Sequence, residues 1–234
     1  MKTDLKGKTA VVTGAAGTMG AAVVRAFLED GLKVFAVDVR PSGEGESVVC
    51  DITDPAGVAR VAKQIGDVDI LVNNAGILSN NKVEASTPEE WRKVLAVNLD
   101  GAFYMARAFV PGMKKRRWGR IVNTCSLAAK SGGITAGTAY TASKGAMTSL
   151  TFSLARELAS HGVTVNGISP AYVRTPMVTE QLTEAQRKAL LAQIPVGRFC
   201  EPEEFAHVVR FLVSPLAGFI TGEIVDLNGG LVMD

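Results

Sequence analysis

Two side chains with complementary chemistry stand one helical turn apart. In Tyr140-Thr141-Ala142-Ser143-Lys144, a spacing of four puts a phenol and an ammonium on one face of the stretch 138–160, which reads as a single long helix. A free phenol titrates near pH 10 and a cation beside a phenol favours its ionised form, so such a pair can trade a proton with a substrate oxygen. Tyrosine and lysine also share amphipathic helices without any chemistry, and the spacing alone does not decide. Three more groups favour chemistry: Ser126 just past an apolar run, Asn98 in a helix opening at Pro88, and the turn Asn73-Asn74-Ala75-Gly76.

A second constellation points to what binds beside them. Thr13-Gly14-Ala15-Ala16-Gly17-Thr18-Met19-Gly20 follows the first apolar run and leads into a helix over 21–30. Glycines let the backbone turn tightly and approach a pyrophosphate, whose charge the free N–H groups of a helix start can stabilise. Asp38 ends the second apolar run, where a carboxylate can accept hydrogen bonds from ribose hydroxyls and repels a 2′-phosphate; this favours NAD over NADP. Arg40, two residues on, is the group that could still reach such a phosphate.

The elements that must hold these groups show as seven short, β-branched runs, around Val11, Val34, Val48, Leu71, Val122, Val165 and Val225. They are nearly continuous in apolar residues, as strands covered on both faces require. Between them lie helix starts: Asp54 before Pro55, Thr87 before Pro88 with Glu90 set to complete a capping box, Thr183 with Gln186, and Pro202 ahead of Glu203 and Glu204. Strict alternation implies right-handed crossovers and one α/β domain over 1–234: a Rossmann fold with a doubly wound, seven-stranded parallel sheet and helices on both faces. Ligands then bind beyond the carboxyl ends of the strands.

Composition narrows the partners. The 234 residues are 47% hydrophobic and 21% charged, with a net charge of +2 that supplies no field for gripping nucleic acid. The basic run Lys114-Lys115-Arg116-Arg117 reads as a solvated helix end. No apolar stretch suits a membrane span or an export signal, so a cytoplasmic protein is expected. Cys50, Cys125 and Cys200 are far apart and lack metal spacing, which fits reduced, buried thiols and no metal.

The glycine turn, Asp38, Asp51 after the third run, Asn-Asn-Ala-Gly, Val97-Asn98, Ile121-Val122-Asn123 leading to Ser126, Tyr140 with Lys144, and Asn166 through Pro170 to Thr175 occur in an order that resembles the short-chain dehydrogenase/reductase family over essentially the whole chain. The resemblance implies Gly14, Thr18, Met19 and Gly20 at a pyrophosphate, Asp38 at the ribose, Asp51 and Ile52 at the adenine, and Asn74, Ala75 and Gly76 along the adenosine side. It implies Val173 and Thr175 at the nicotinamide carboxamide, and Asn98, Ser126, Tyr140 and Lys144 as a catalytic tetrad. In it Lys144 also bonds the nicotinamide ribose, and Asn98 holds a water linking Lys144 to solvent.

This chain has Thr18, Ala171 and Asn228 where the family usually has Gly, Gly and Asp, and one extra residue between Ser126 and Tyr140. The implied activity is interconversion of a secondary alcohol and a ketone on a small hydroxy compound, sugar or polyol. The alternatives are reduction of a 3-oxoacyl thioester and a catalytically silent dinucleotide sensor. Residues 176–195, with a helix from Glu184 and with Tyr172 and Met177 nearby, are expected to cover the substrate. A homotetramer through the long helices and the last strand is implied as well.

Overall fold

Residues 5–176 and 183–233 are described by a computed structural model. Seven strands, β1 (Thr9–Thr13), β2 (Lys33–Asp38), β3 (Glu46–Val49), β4 (Ile70–Asn73), β5 (Gly119–Thr124), β6 (Val163–Pro170) and β7 (Ile224–Leu227), form one sheet. All neighbours are parallel and the order is β3-β2-β1-β4-β5-β6-β7, so the winding reverses between β1 and β4. The helices are α1 (Thr18–Glu29), α2 (Pro55–Ile65), α3 (Pro88–Leu95), α4 (Gly101–Arg116), α5 (Ala128–Ser131), α6 (Thr138–Leu158), α7 (Glu184–Leu191) and α8 (Pro202–Val213). No helix among the described residues is long and apolar enough to cross a membrane.

Successive strand residues point to opposite faces. Ala10 and Val12 of β1 accordingly join Phe27 of α1 and Phe205 and Val209 of α8 in one core. Val11 between them joins Met105 and Phe109 of α4 and Leu158 of α6 in the other. Both faces are therefore apolar, which explains the unbroken runs in the sequence.

One strand end and one helix cap depart from the sequence pattern, each for a polar reason. β6 runs five residues past its apolar start, to Pro170, and is buried throughout. Asn166 can enter it because its amide donates to the Ile220 carbonyl (2.9 Å) and accepts the Glu223 N–H (3.0 Å). Thr87 caps α3 by accepting the Glu90 N–H (3.1 Å), but the Glu90 carboxylate turns away to the Ser79 hydroxyl and the Asn81 amide, so only half of the expected capping box forms. The basic run closes α4: Arg116 pairs with Asp67 (2.6 Å), and Arg117, left-handed at φ 53°, donates to the Ser160 carbonyl (3.0 Å). Residues 39–45 join β2 to the parallel β3 without a helix.

The turn after β1 depends on a close backbone approach. A Cβ on Gly20 would lie 2.2 Å from the Gly14 carbonyl oxygen, so only glycine lets α1 start this near the strand end. We expect Gly20→Ala to cost about 2–4 kcal/mol in urea unfolding, with dinucleotide affinity falling in parallel. Unchanged unfolding would contradict this packing role.

Candidate active site

At the reversal point two turns are stapled together. The Thr13 hydroxyl accepts the N–H groups of Asn74 (3.0 Å) and Ala75 (3.1 Å), and the Asn74 amide donates to the carbonyls of Thr13 (3.1 Å) and Gly14 (3.3 Å). Gly14 sits at φ +66°, and a Cβ there would come 2.8 Å from the Ala75 Cα. Thr18 replaces a usual glycine without strain, because Arg117 is the one positive-φ non-glycine among the described residues.

Beside the staple lies a cleft of about 1050 Å³, bordered by Gly14, Thr18, Met19, Asp38, Asp51, Ile52, Asn74, Ala75, Gly76 and Thr175. α1 opens with no side-chain cap, which leaves its first N–H groups for an anion. The Asp38 carboxylate accepts the N–H groups of Ala16 (3.0 Å) and Arg40 (3.1 Å), and its side chain is only 9% exposed. Each carboxylate oxygen keeps a lone pair for a diol. A helix start for phosphate, next to a fixed carboxylate for a ribose, fits a nicotinamide dinucleotide. Gly20 and Val173 do not border this cleft: Gly20 packs beneath the turn, and Val173 lines the neighbouring cavity. The Asp51 carboxylate accepts the N–H (2.9 Å) and hydroxyl (2.8 Å) of Thr53 at the cleft rim.

That cavity, of about 240 Å³, is lined by Ser126, Tyr140 and Lys144. The Lys144 ammonium lies 5.7 Å from the centre of the Tyr140 ring and donates to the Thr124 carbonyl at the end of β5 (2.7 Å). Asn98 is brought to the same place but stands behind the wall. It sits fully buried in a π-helical turn, Ala96–Asp100, between α3 and α4. Its amide accepts the Ile77 N–H (2.8 Å) and donates to the Ile77 carbonyl and the Ser143 hydroxyl (both 3.0 Å). Asn98 thus braces the turn after β4 against α6.

A buried ladder that sequence reasoning missed fixes α6 to the sheet. The Asn73 amide donates to Asn123 (2.9 Å), and Asn123 donates to the Thr151 hydroxyl (2.9 Å). Its only trace in the sequence is an asparagine at the carboxyl end of two apolar runs. Thr13 left a similar trace, a hydroxyl just before the glycine turn.

The segment from Val173 to Thr175, expected from the sequence at the nicotinamide carboxamide, is tied to a second segment. Val173 bridges to Cys200, with the Cys200 N–H donating to the Tyr172 carbonyl (3.0 Å) and the Arg174 N–H to the Cys200 carbonyl (2.8 Å). Cys200 in turn follows Arg198, whose guanidinium grips Glu204 at 2.6 and 2.7 Å. Those bonds, and the Glu201 N–H, hold the Glu204 carboxyl down to about 2. Burial pushes the Cys50 and Cys125 thiols up, and that of Cys200 up to about 11, so all three are held protonated. Met177 and Leu182 of the expected covering segment lie outside the described residues.

The chain is similar to known oxidoreductases along nearly its whole length. A family profile described as enoyl-(acyl carrier protein) reductase matches residues 14–232. The chain is 41% identical to a 3-oxoacyl-[acyl-carrier-protein] reductase of Vibrio cholerae, over 98% of this chain and 99% of the relative. It is 37% identical to the Escherichia coli protein of the same name, with the same coverage. Among solved structures, a putative NAD(P)-dependent gluconate 5-dehydrogenase from Beutenbergia cavernae, with bound NADP at low occupancy, superposes with a TM-score of 0.92 at 35% identity over 99% of both chains. An aldohexose dehydrogenase from Thermoplasma acidophilum, in ligand-free form, superposes with a TM-score of 0.91 at 33% identity, over 98% of this chain and 95% of that one.

The Arg198–Glu204 pair gives a pH signature. A carboxyl whose folded value is depressed stabilises the fold above its ordinary value of 4.5 and loses that contribution as pH falls toward about 2. We expect wild type to melt above Glu204→Gln at pH 7 and the gap to close between pH 4.5 and 2. A gap that persists at the acid end would rule the pair out as its source.

Proposed function

The chain belongs to the short-chain dehydrogenase/reductase family, and on that premise we propose that it reduces the ketone of a 3-oxoacyl thioester to a secondary alcohol, with NADH as the preferred cofactor. The observation that carries this reading is the cavity wall. Ile77, Leu78, Leu127, Ile134, Tyr172 and Val173 line it, and among the described residues Lys144 is its one charged side chain. A sugar or polyol needs several hydroxyl partners and a sugar acid needs a cation, because buried polar groups left unpaired are costly. A short acyl thioester needs an apolar wall with one polar end. Polar groups (Asn74, Ser126, Ser131, Thr135, Tyr140 and Thr175) also line the cavity, but its apolar share is the larger, which favours the thioester over the small hydroxy compound, sugar or polyol that the sequence placed first. The relatives named 3-oxoacyl-[acyl-carrier-protein] reductase support the same order, while the two sugar-dehydrogenase neighbours keep a sugar panel in the test.

A bound dinucleotide supplies the hydride to the carbonyl carbon. The protein handles the proton. Tyr140 gives its phenolic proton to the carbonyl oxygen, and the Ser126 hydroxyl donates a hydrogen bond to that oxygen as charge develops on it. The Lys144 ammonium stabilises the phenolate that remains. Asp38 selects the cofactor: its carboxylate, already fixed by two backbone N–H groups, accepts from a ribose diol and repels a 2′-phosphate.

Assembly into a tetramer belongs to the same reading. Phe103 of α4, Phe152 of α6 and Phe219 before β7 are all exposed. Ala102, Met105, Ala106, Phe109 and Met113 of α4 are buried within the chain and need no partner.

Absorbance of reduced nicotinamide with acetoacetyl-coenzyme A, gluconate and aldohexoses in parallel is the direct test. Turnover of the thioester well above every sugar is expected, and the reverse order would sink the proposal. Tyr140→Phe should lower kcat by about 10²–10⁴-fold while leaving NADH affinity nearly unchanged. NADH should bind at least about tenfold more tightly than NADPH, a difference of about 1.4 kcal/mol, and equal affinity would remove Asp38 as the selector.

A further inference from the structure

The loop between α5 and α6 forms one wall of the substrate cavity through Gly133, Ile134 and Thr135, and it is held from outside the site. Lys82 lies on a loop after β4, and its ammonium donates to the carbonyls of Gly133 (2.8 Å) and Ala136 (2.6 Å), closing the wall loop around one charge. Hydrogen bonds also run the other way. The N–H of Gly137 donates to the Ser79 carbonyl (2.6 Å) and that of Thr138 to the Asn81 carbonyl (3.0 Å), so the start of the helix that carries Tyr140 is capped by the same short segment. The fit leaves no slack, since a Cβ on Gly137 would lie 2.4 Å from the Asn81 carbonyl oxygen. Behind the segment, the Glu90 carboxylate takes the Ser79 hydroxyl and the Asn81 amide (2.8 Å), which explains why it is missing from its own capping box.

We infer that Lys82 is a positioning residue for the substrate: it sets the wall loop at 133–136 and so governs how tightly the thioester's acyl end is held, without touching substrate or cofactor. A point charge with three donors can join two carbonyls that no neutral side chain of that length would hold together. The inference rests on the proposed reaction only for the choice of substrate. The clamp itself is a property of the free protein and can be tested without turnover.

Hydrogen exchange and steady-state kinetics on Lys82→Met, with Lys82→Arg as the conservative variant, test it. In Lys82→Met, amides 133–137 should exchange at least about tenfold faster, while those of the glycine turn at 14–20 keep the wild-type rate. KM for acetoacetyl-coenzyme A should rise about tenfold with kcat within a factor of about two and NADH affinity unchanged, and Lys82→Arg should restore part of the loss. Unchanged exchange at 133–137 would overturn the clamp, as would faster exchange spread through the glycine turn or failure of both variants to fold. Faster local exchange with an unaltered KM would overturn the link to substrate. Should wild type leave the thioester untouched but reduce another carbonyl compound of the panel, the proposed substrate fails, and the same KM comparison with that compound decides the role of Lys82.

Discussion

Lys144, a residue only 3% exposed, places an ammonium in the wall of the cavity that Tyr140 also lines. Removing such a charge from water costs several kcal/mol unless fixed dipoles replace the lost hydration. The carbonyl of Thr124, the last residue of β5, takes one of its three donors. Geometry makes this placement repeatable. Thr151 lies two turns along the same helix, and the ladder from Asn73 through Asn123 to its hydroxyl fixes α6 against β4 and β5. The charge is thus set by packing that is independent of any ligand.

Met19, Asn74, Gly76, Ile77 and Thr175 border both the long cleft and the smaller cavity. The two spaces therefore share a wall made of the turns after β1 and β4 and the segment after β6. Asn98 and the Thr13 staple act on this wall from behind, and neither reaches into either space. Thr13 bonds backbone groups, and Asn98 bonds the Ile77 backbone and the Ser143 hydroxyl, which suits side chains that must hold a loop in one place.

The parts legible in the sequence are those whose signal is local. A four-residue spacing announced Tyr140 and Lys144, glycines announced the turn after β1, and continuous apolar runs announced a sheet covered on both faces. Features made by distant partners left no period to read. Glu90 looked like half of a capping box because the competing Ser79 and Asn81 come from a separate loop. β6 looked three residues long because the partners that satisfy Asn166 lie more than fifty residues away. The close approach of Gly20 to the Gly14 carbonyl, which leaves no room for a Cβ, likewise depends on a backbone path that no local signal announces. The cavity wall, too, is assembled from separate segments, none of which looks unusually apolar alone.

The helix-free connection at 39–45 has a bearing on how the sheet comes together. Parallel neighbours normally require a crossover of a dozen or more residues. Here β3 is staggered so that Phe35 pairs with Glu46, and the chain has only to drop back about 10 Å along β2. Every other parallel pair joins strands separated by a longer stretch of chain. Loop-closure entropy grows with the length of that stretch, so the β2–β3 edge is the pairing with the smallest entropic barrier. The strand that ends in Asp38 can therefore find its outer neighbour before the distant β1–β4 seam has closed.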